Sequence, residues 1–164
     1  MKKTVLLALL AFLGNILFAD PFGLKMGMTL EEIAEKCSGG KEPEYVGGGV
    51  MYKIDPIKKN NHFVEYTAYV HDDLGLFAIV VETKPEDIEE CKKRLKLLSL
   101  MLGTVYGEEG DGRMWIPSMS KALRNEKLDC VMLEMNSVDG EKKCCKLFYV
   151  FENFERAKGA FSPF

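Results

Sequence analysis

The spacing of the apolar residues changes along the chain, and this change constrains the fold more than any other feature. Near residue 30 and again after residue 85, apolar residues recur at the three- and four-residue spacing of an amphipathic helix. After each of these segments they alternate with a period of two, which is typical of strands. The pattern therefore predicts an α+β protein, in which helices pack on one face of an antiparallel sheet.

The two helices are predicted to begin with similar capping signals. Thr29 and Glu32 form the sequence pattern of a capping box, and the apolar face that follows extends to Cys37, before two glycines that would end the helix. A second capping box is predicted to start at Thr83. Its helix carries an apolar stripe formed by Ile88, Cys91, Leu95, Leu98 and Leu102.

Two hairpins account for most of the predicted sheet. The first joins residues 62–70 to residues 76–82 through a turn at 72–75, and a weaker strand at 50–54 precedes it. The second joins residues 129–138 to residues 141–151. A short strand at 113–116 and one or two helical turns at 118–125 are predicted between the second helix and this hairpin.

The register of the second hairpin is left open among a two-residue loop, a loop with one more residue, and a loop of residues 138–140 that has better turn chemistry and keeps the same facing as the second. A two-residue Asp-Gly turn would place Lys146 opposite Leu133. One more loop residue would instead place Leu147 opposite Leu133 and Lys146 opposite Glu134, which satisfies both the apolar face and the charge pair. The sequence predicts which side chains share a face, but it does not decide the loop length.

The order of elements recurs, which raises the hypothesis of two related units. Residues 29–82 and residues 83–154 each contain a helix, a weak strand and a hairpin. We therefore expect residues 20–164 to form a single α+β domain. The hypothesis is that this domain consists of two α-β-β-β units, although the two halves share little residue identity.

The first 19 residues have the pattern of a secretory signal peptide. Lys2 and Lys3 precede an apolar stretch from Val5 to Phe18, and Ala19 provides a small residue at the expected cleavage point. An uncleaved anchor is the alternative, but the stretch is shorter than the roughly 20 apolar residues that span a bilayer. We therefore expect an exported chain, periplasmic or extracellular, with no transmembrane anchor after cleavage.

The charge of the mature chain argues against one class of partner. Removal of Lys2 and Lys3 leaves 20 basic against 25 acidic residues, a net charge of −5. A chain of this charge has no electrostatic attraction to phosphate backbones. We expect no nucleic-acid partner, and instead another exported protein or a small ligand.

The start of the mature chain carries a resemblance to known exported proteins. Residues 21–33 contain Gly-Met-Thr-Leu-Glu-Glu-Ile, and short helices introduced in this way resemble those of SmpA/OmlA-type outer-membrane-assembly lipoproteins and the repeated units of β-lactamase inhibitory proteins. The opening is also similar to that of a family of small secreted or periplasmic bacterial proteins of unknown function. The resemblance implies an exported α/β binding module rather than an enzyme. The chain departs from the lipoproteins because its first cysteine is Cys37.

The residues that could carry chemistry form no recognisable motif. The chain has two histidines and five cysteines, without the Cys-x-x-Cys or His-x-x-x-His spacing of metal sites, and it has no nucleotide-binding motif. No metal and no cofactor is therefore predicted. The alternative to a binding module is a secreted enzyme whose site combines scattered Asp and Glu residues, His71 and a cysteine.

The cysteines are an odd number in a chain that is expected to reach an oxidising compartment. At least one must stay free or form an intermolecular bond. Cys144 and Cys145 are strand neighbours that point to opposite faces, and the hairpin places Cys144 about 20 Å from Cys130. We expect neither pair to form a disulfide.

One segment carries an interaction signal. Met114, Trp115 and Ile116, with Met119 nearby, combine the residue types that are favoured at protein interfaces. Filling of the core is the role that the sequence favours for these side chains, and a partner surface is the alternative. The leading hypothesis is a soluble exported protein that binds a partner. These four residues are its candidate surface.

We predict that the protein recovered from the cells that make it lacks its first 19 residues. Intact-mass spectrometry would then give a mature chain of about 145 residues that begins at Asp20. Recovery of the uncleaved chain from the membrane fraction would contradict export with cleavage.

Overall fold

A computed structural model describes residues 20–110, 113–116, 121–157 and 159 of the chain. A short 3₁₀ turn, Pro21–Gly23, precedes the regular elements. In chain order the helices are α1 (Leu30–Glu35), α2 (Ile88–Tyr106), α3 (Lys121–Asn125) and α4 (Phe154–Ala157). The strands are β1 (Cys37–Gly40), β2 (Glu44–Val46), β3 (Gly49–Pro56), β4 (Glu65–His71), β5 (Gly75–Glu82), β6 (Met114–Trp115), β7 (Leu128–Asp139) and β8 (Lys142–Phe151).

The strands form one antiparallel sheet, and the predicted α+β class is confirmed. The sheet order is β1-β3-β4-β5-β8-β7-β6, with β2 paired to β3 beside β1. Ile33 of α1, Leu98 of α2 and Leu123 of α3 all lie in one large core cluster, so these three helices pack on the same face of the sheet.

The last strands of the two halves meet in the middle of the sheet. The first half contributes β3, β4 and β5 in order, the second contributes β6, β7 and β8, and β5 pairs with β8. Two α-β-β-β units joined at their final strands would produce this arrangement. The first half adds β1 and β2, which have no counterpart among the described residues of the second half. A duplicated unit stays a hypothesis.

The second hairpin has the register that was predicted for a loop one residue longer than the Asp-Gly turn. Leu133 lies opposite Leu147, and Glu134 lies opposite Lys146. A shift in register between Ser137 and Asp139 lets the chain turn tightly at residues 140–141 while keeping this pairing. The observed register is therefore the one that keeps the apolar residues on one face and places Glu134 opposite Lys146, although the ion pair of Lys146 is with Glu82.

The first capping box is confirmed, but the helix that it starts is shorter than expected. The Thr29 hydroxyl accepts from the Glu32 amide at 3.3 Å, and Oε2 of Glu32 accepts from the Thr29 amide at 2.9 Å. The prediction that the helix continues through Cys37 is wrong, because Cys37 begins β1, which pairs with the end of β3. This pairing satisfies backbone groups that a helix ending at glycines would have left to solvent.

The second capping box does not form. Thr83 Oγ1 accepts from the Cys145 amide at 2.9 Å, and the Thr83 amide donates to the Cys145 carbonyl at 3.0 Å. Helix α2 begins later, where Asp87 Oδ1 accepts from the Glu90 amide at 3.0 Å. Its predicted stripe is buried from Cys91 onward.

A close contact between two glycines attaches the segment just before α1 to strand β5. The Gly27 amide donates to the Leu76 carbonyl at 2.9 Å, and the Leu76 amide donates to the Met28 carbonyl at 2.8 Å. Gly75 has a φ of +66°, and a Cβ built on it would lie 2.2 Å from the Gly27 carbonyl oxygen. Only glycine satisfies both conditions at this position.

We predict that Gly75→Ala lowers the free energy of unfolding by about 3 kcal/mol or more, because the new Cβ strains the backbone and separates the two segments. The matched control is Gly103→Ala in α2, where the added Cβ meets nothing within 4 Å. That variant should gain roughly 0.5–1 kcal/mol through helix propensity. Urea unfolding of both variants measures the difference, and equal stability of the two would contradict the assignment.

Candidate binding face

The sheet has a second face, which points away from α1, α2 and α3. In an antiparallel sheet that is covered on one side, the outward positions are usually polar. Here many of them are apolar, among them Tyr69, Val80, Phe148 and Val150. We call this side of the sheet the outer face.

A row of five residues crosses the outer face on five neighbouring strands. Each residue lies directly opposite the next one in the ladder, so that the row runs from β4 to β6 through the middle of the sheet. Its members, which we call the apolar row, are Thr67, Val80, Phe148, Met132 and Met114.

The apolar row is accessible along most of its length. Val80, the second member of the row, is only 5% exposed, whereas Phe148, Met132 and Met114 are each half-buried. Two unbranched methionines beside a phenylalanine make a surface that can adjust to the shape of a partner. Aromatic residues and methionine are also enriched at protein interfaces.

A charged row runs beside the apolar row. Glu65, Glu82, Lys146 and Glu134 lie opposite one another on β4, β5, β8 and β7. Lys146 Nζ lies 2.8 Å from Glu82 Oε1. At the end of the row Lys53 of β3 forms an ion pair with Glu65, and this hydrogen bond raises the pKa of the lysine.

The other side of the apolar row is partly closed by α4. Phe154 packs against Phe77, with ring centroids 6.1 Å apart, and Ala157 lies in the same small cluster. The Asn153 amide group donates to the carbonyls of Leu74 and Leu76, both at 3.1 Å, and so fixes the start of α4 to β5. The outer face is therefore bounded by apolar packing on one side and by charges on the other.

The structure places Met114 and Trp115 of the predicted interaction segment on opposite faces of the sheet. Trp115 is fully buried, and its Nε1 donates to the Gly107 carbonyl at 3.1 Å. Its strand neighbour Met114 points to the opposite side and ends the apolar row. Ile116 is 37% exposed, and Met119 lies outside the described residues. The strand pairing places Met114 on the outer face and Trp115 on the opposite face, since adjacent strand residues point to opposite faces.

Sequence reasoning missed Thr67, Val80, Phe148 and Met132. Each belongs to a strand whose alternation was recognised, so its outward position could have been read. The signal that joins them is the order of the strands in the sheet, because β5 pairs with β8 only in the folded chain.

Of the alternative enzyme site, the one residue that was named by number is His71. His71 lies at the end of β4, where its Nδ1 accepts from the Asp73 amide at 3.1 Å within the hairpin turn. Within the described ranges, the side chains of His, Cys, Asp and Glu form no group of three that could hold a metal ion.

A cavity of about 420 Å³ lies at the β1 end of the sheet. Lys53 and Glu65, the ion pair at the end of the charged row, contribute to its wall, so the cavity adjoins the outer face. Asp55 also lines it, and hydrogen bonds from Lys59 and Ser38 lower the pKa of this carboxyl. Its lining residues are Gly39, Gly40, Lys41, Lys53, Ile54, Asp55, Val64, Glu65 and Tyr66.

Comparison of the chain with protein families, with curated proteins and with solved structures finds no match. Among the described residues, no helix has both the length and the apolar character that crossing a membrane requires.

Proposed function

We propose that the protein is exported and acts as a soluble binding module, which docks through its outer face on an apolar patch of another exported protein. The observation that carries this proposal is the apolar row. Outward positions of a sheet covered on one side only are normally polar, and here four of five successive positions across the sheet are apolar. Contiguous apolar surface of this kind is typical of interaction sites.

The charged row defines the chemistry of the expected partner. It contains three carboxylates, and with Lys53 only two ammonium groups, so its charge is negative overall. A partner with an apolar centre and lysine or arginine residues on one side of that centre would match both rows. The apolar row would provide most of the affinity, and the charged row would orient the partner.

The expected location supports the same proposal. The N-terminal 19 residues have the order of a signal peptide, and the resemblance of residues 21–33 is to exported binding modules. A partner would therefore be sought among proteins of the cell envelope or the surrounding medium. The buried Trp115 is part of the scaffold in this proposal, and Met114 is part of the surface.

We predict that replacing Phe148 and Met132 together by threonine weakens partner binding at least about tenfold, because it removes the centre of the apolar row while keeping strand propensity. Affinity capture from the envelope of the source cells, followed by quantitative mass spectrometry, compares the variant with the wild type. The matched control is Leu100→Gln on α2, which changes a 64% exposed leucine far from the outer face.

A partner captured by the wild type and by Leu100→Gln, but lost with the double variant, supports the proposal. Equal capture by all three proteins, or no specific capture by the wild type, contradicts it. Urea unfolding checks that the double variant is folded. Met114→Thr at the edge strand provides a second variant with a smaller effect on the fold.

A further inference from the structure

Two buried cysteines from distant parts of the chain are in contact. Cys91 lies in the first turn of α2, and Cys145 lies on β8, 54 residues later. Their Sγ atoms are 3.7 Å apart, and both residues are fully buried. The Cys145 Sγ also lies 3.7 Å from the Cys91 carbonyl oxygen. The two side chains therefore meet where the helix packs on the sheet.

The backbone around this pair is held on both sides. Thr83 exchanges hydrogen bonds with Cys145, and Glu86 pairs with Lys143, so the chain runs along β8 until just before the helix begins. Arg94, one turn into α2, then donates twice to Glu86, with both N···O distances at 2.6 Å. The first turns of α2 are thus fixed to β8 independently of the sulfur atoms.

We propose that Cys91 and Cys145 form an intramolecular disulfide that fastens α2 to strand β8. The Sγ atoms already touch, and closing them to the bond length of about 2.05 Å requires side-chain rotation within an anchored backbone. The bond would explain why two cysteines, rather than two aliphatic residues, face each other at this position in the core. It concerns the scaffold and is independent of what the outer face binds.

The reaction needs an oxidant, which is a disulfide donor such as oxidised glutathione or a thiol–disulfide oxidoreductase. One cysteine thiolate attacks a sulfur of the donor, forms a mixed disulfide and releases the first donor thiol. The second cysteine thiolate then attacks the mixed disulfide, forms the Sγ–Sγ bond and releases the second donor thiol. The two cysteines together lose two electrons and two protons, and the donor disulfide is reduced to two thiols.

The other cysteines are placed differently. Cys144 points to the outer face, where its Sγ lies 3.7 Å from Glu82 Oε2. Cys130 lies opposite Val150, and Asn136 occupies the position opposite Cys144. Cys37 is on the edge strand β1. One disulfide between Cys91 and Cys145 would leave these three as thiols, which agrees with the odd number of cysteines.

Burial sets when the bond can form. It raises the pKa of the Cys145 thiol, so the reactive thiolate is scarce once the core has closed. We therefore expect rapid oxidation while the chain folds, and slow oxidation of the folded, reduced protein. The same burial would protect the finished disulfide from reductants.

The test begins with the full chain, unfolded and reduced, then refolded with and without a mixture of reduced and oxidised glutathione. We expect the number of free thiols to fall from five to three only in the presence of the oxidant. Non-reducing tryptic mapping should show residues 60–92 linked to residues 144–146, with a mass about 2 Da below the sum of the two peptides. A folded protein that keeps five free thiols under these conditions would overturn the proposal.

Cys144 and Cys145 share one tryptic peptide, so variants must separate them. The linked peptide should persist in Cys144→Ser and disappear in Cys145→Ser. The reverse result would assign the bond to Cys144 and overturn the proposal. Mapping of the wild type decides whether a bond exists even if a variant fails to fold.

A stability measurement provides a second readout. Closing a loop of 54 residues by a disulfide should raise the Tm of the oxidised protein above that of the reduced protein by roughly 10 °C. The difference should vanish in Cys91→Ala and persist in the matched control Cys130→Ala, another buried cysteine. An equal loss of the difference in both variants would contradict a bond at Cys91.

Discussion

The pairing of β5 with β8 is the contact on which the rest of the structure depends. It joins the two halves of the chain, from Ala78 opposite Val150 to Glu82 opposite Lys146. Strand β5 is buried along almost its whole length, so it has apolar neighbours on both faces. This one pairing makes a common core beneath the helices, and it also makes the apolar row continuous across the outer face.

Local patterns predicted what depends on local chemistry, and they did so well. The hairpins follow from alternation and turn residues, the capping box at Thr29 forms as expected, and the register of β7 with β8 is the one that pairs Glu134 with Lys146. The errors have a common cause. The Thr83 hydroxyl accepts a hydrogen bond from the Cys145 amide instead of capping α2. The residues after α1 pair with β3 instead of continuing α1. A distant partner outweighed a local preference in both cases.

The candidate site was less accessible to sequence reasoning than the fold. Met114 was identified, but as a neighbour of Trp115, and the strand places these two side chains on opposite faces. Phe148 and Met132 lie opposite each other within the β7–β8 hairpin, and the pairing of β5 with β8 extends this pair to Val80. The sequence contains residue types that suit an interface, but only the tertiary structure shows which of them lie side by side.

The order in which the strands are made has a consequence for a chain that is synthesised from its N-terminus. Strand β5 is complete at residue 82, but its partner β8 ends at residue 151 of 164. Until then a strand that is apolar on both faces has one unpaired edge, which is a template for aggregation. Because β8 is made last of the eight strands, the two halves of the sheet cannot pair until then. Until residue 151 has been made, the free edge of β5 would therefore be available to strands of other chains.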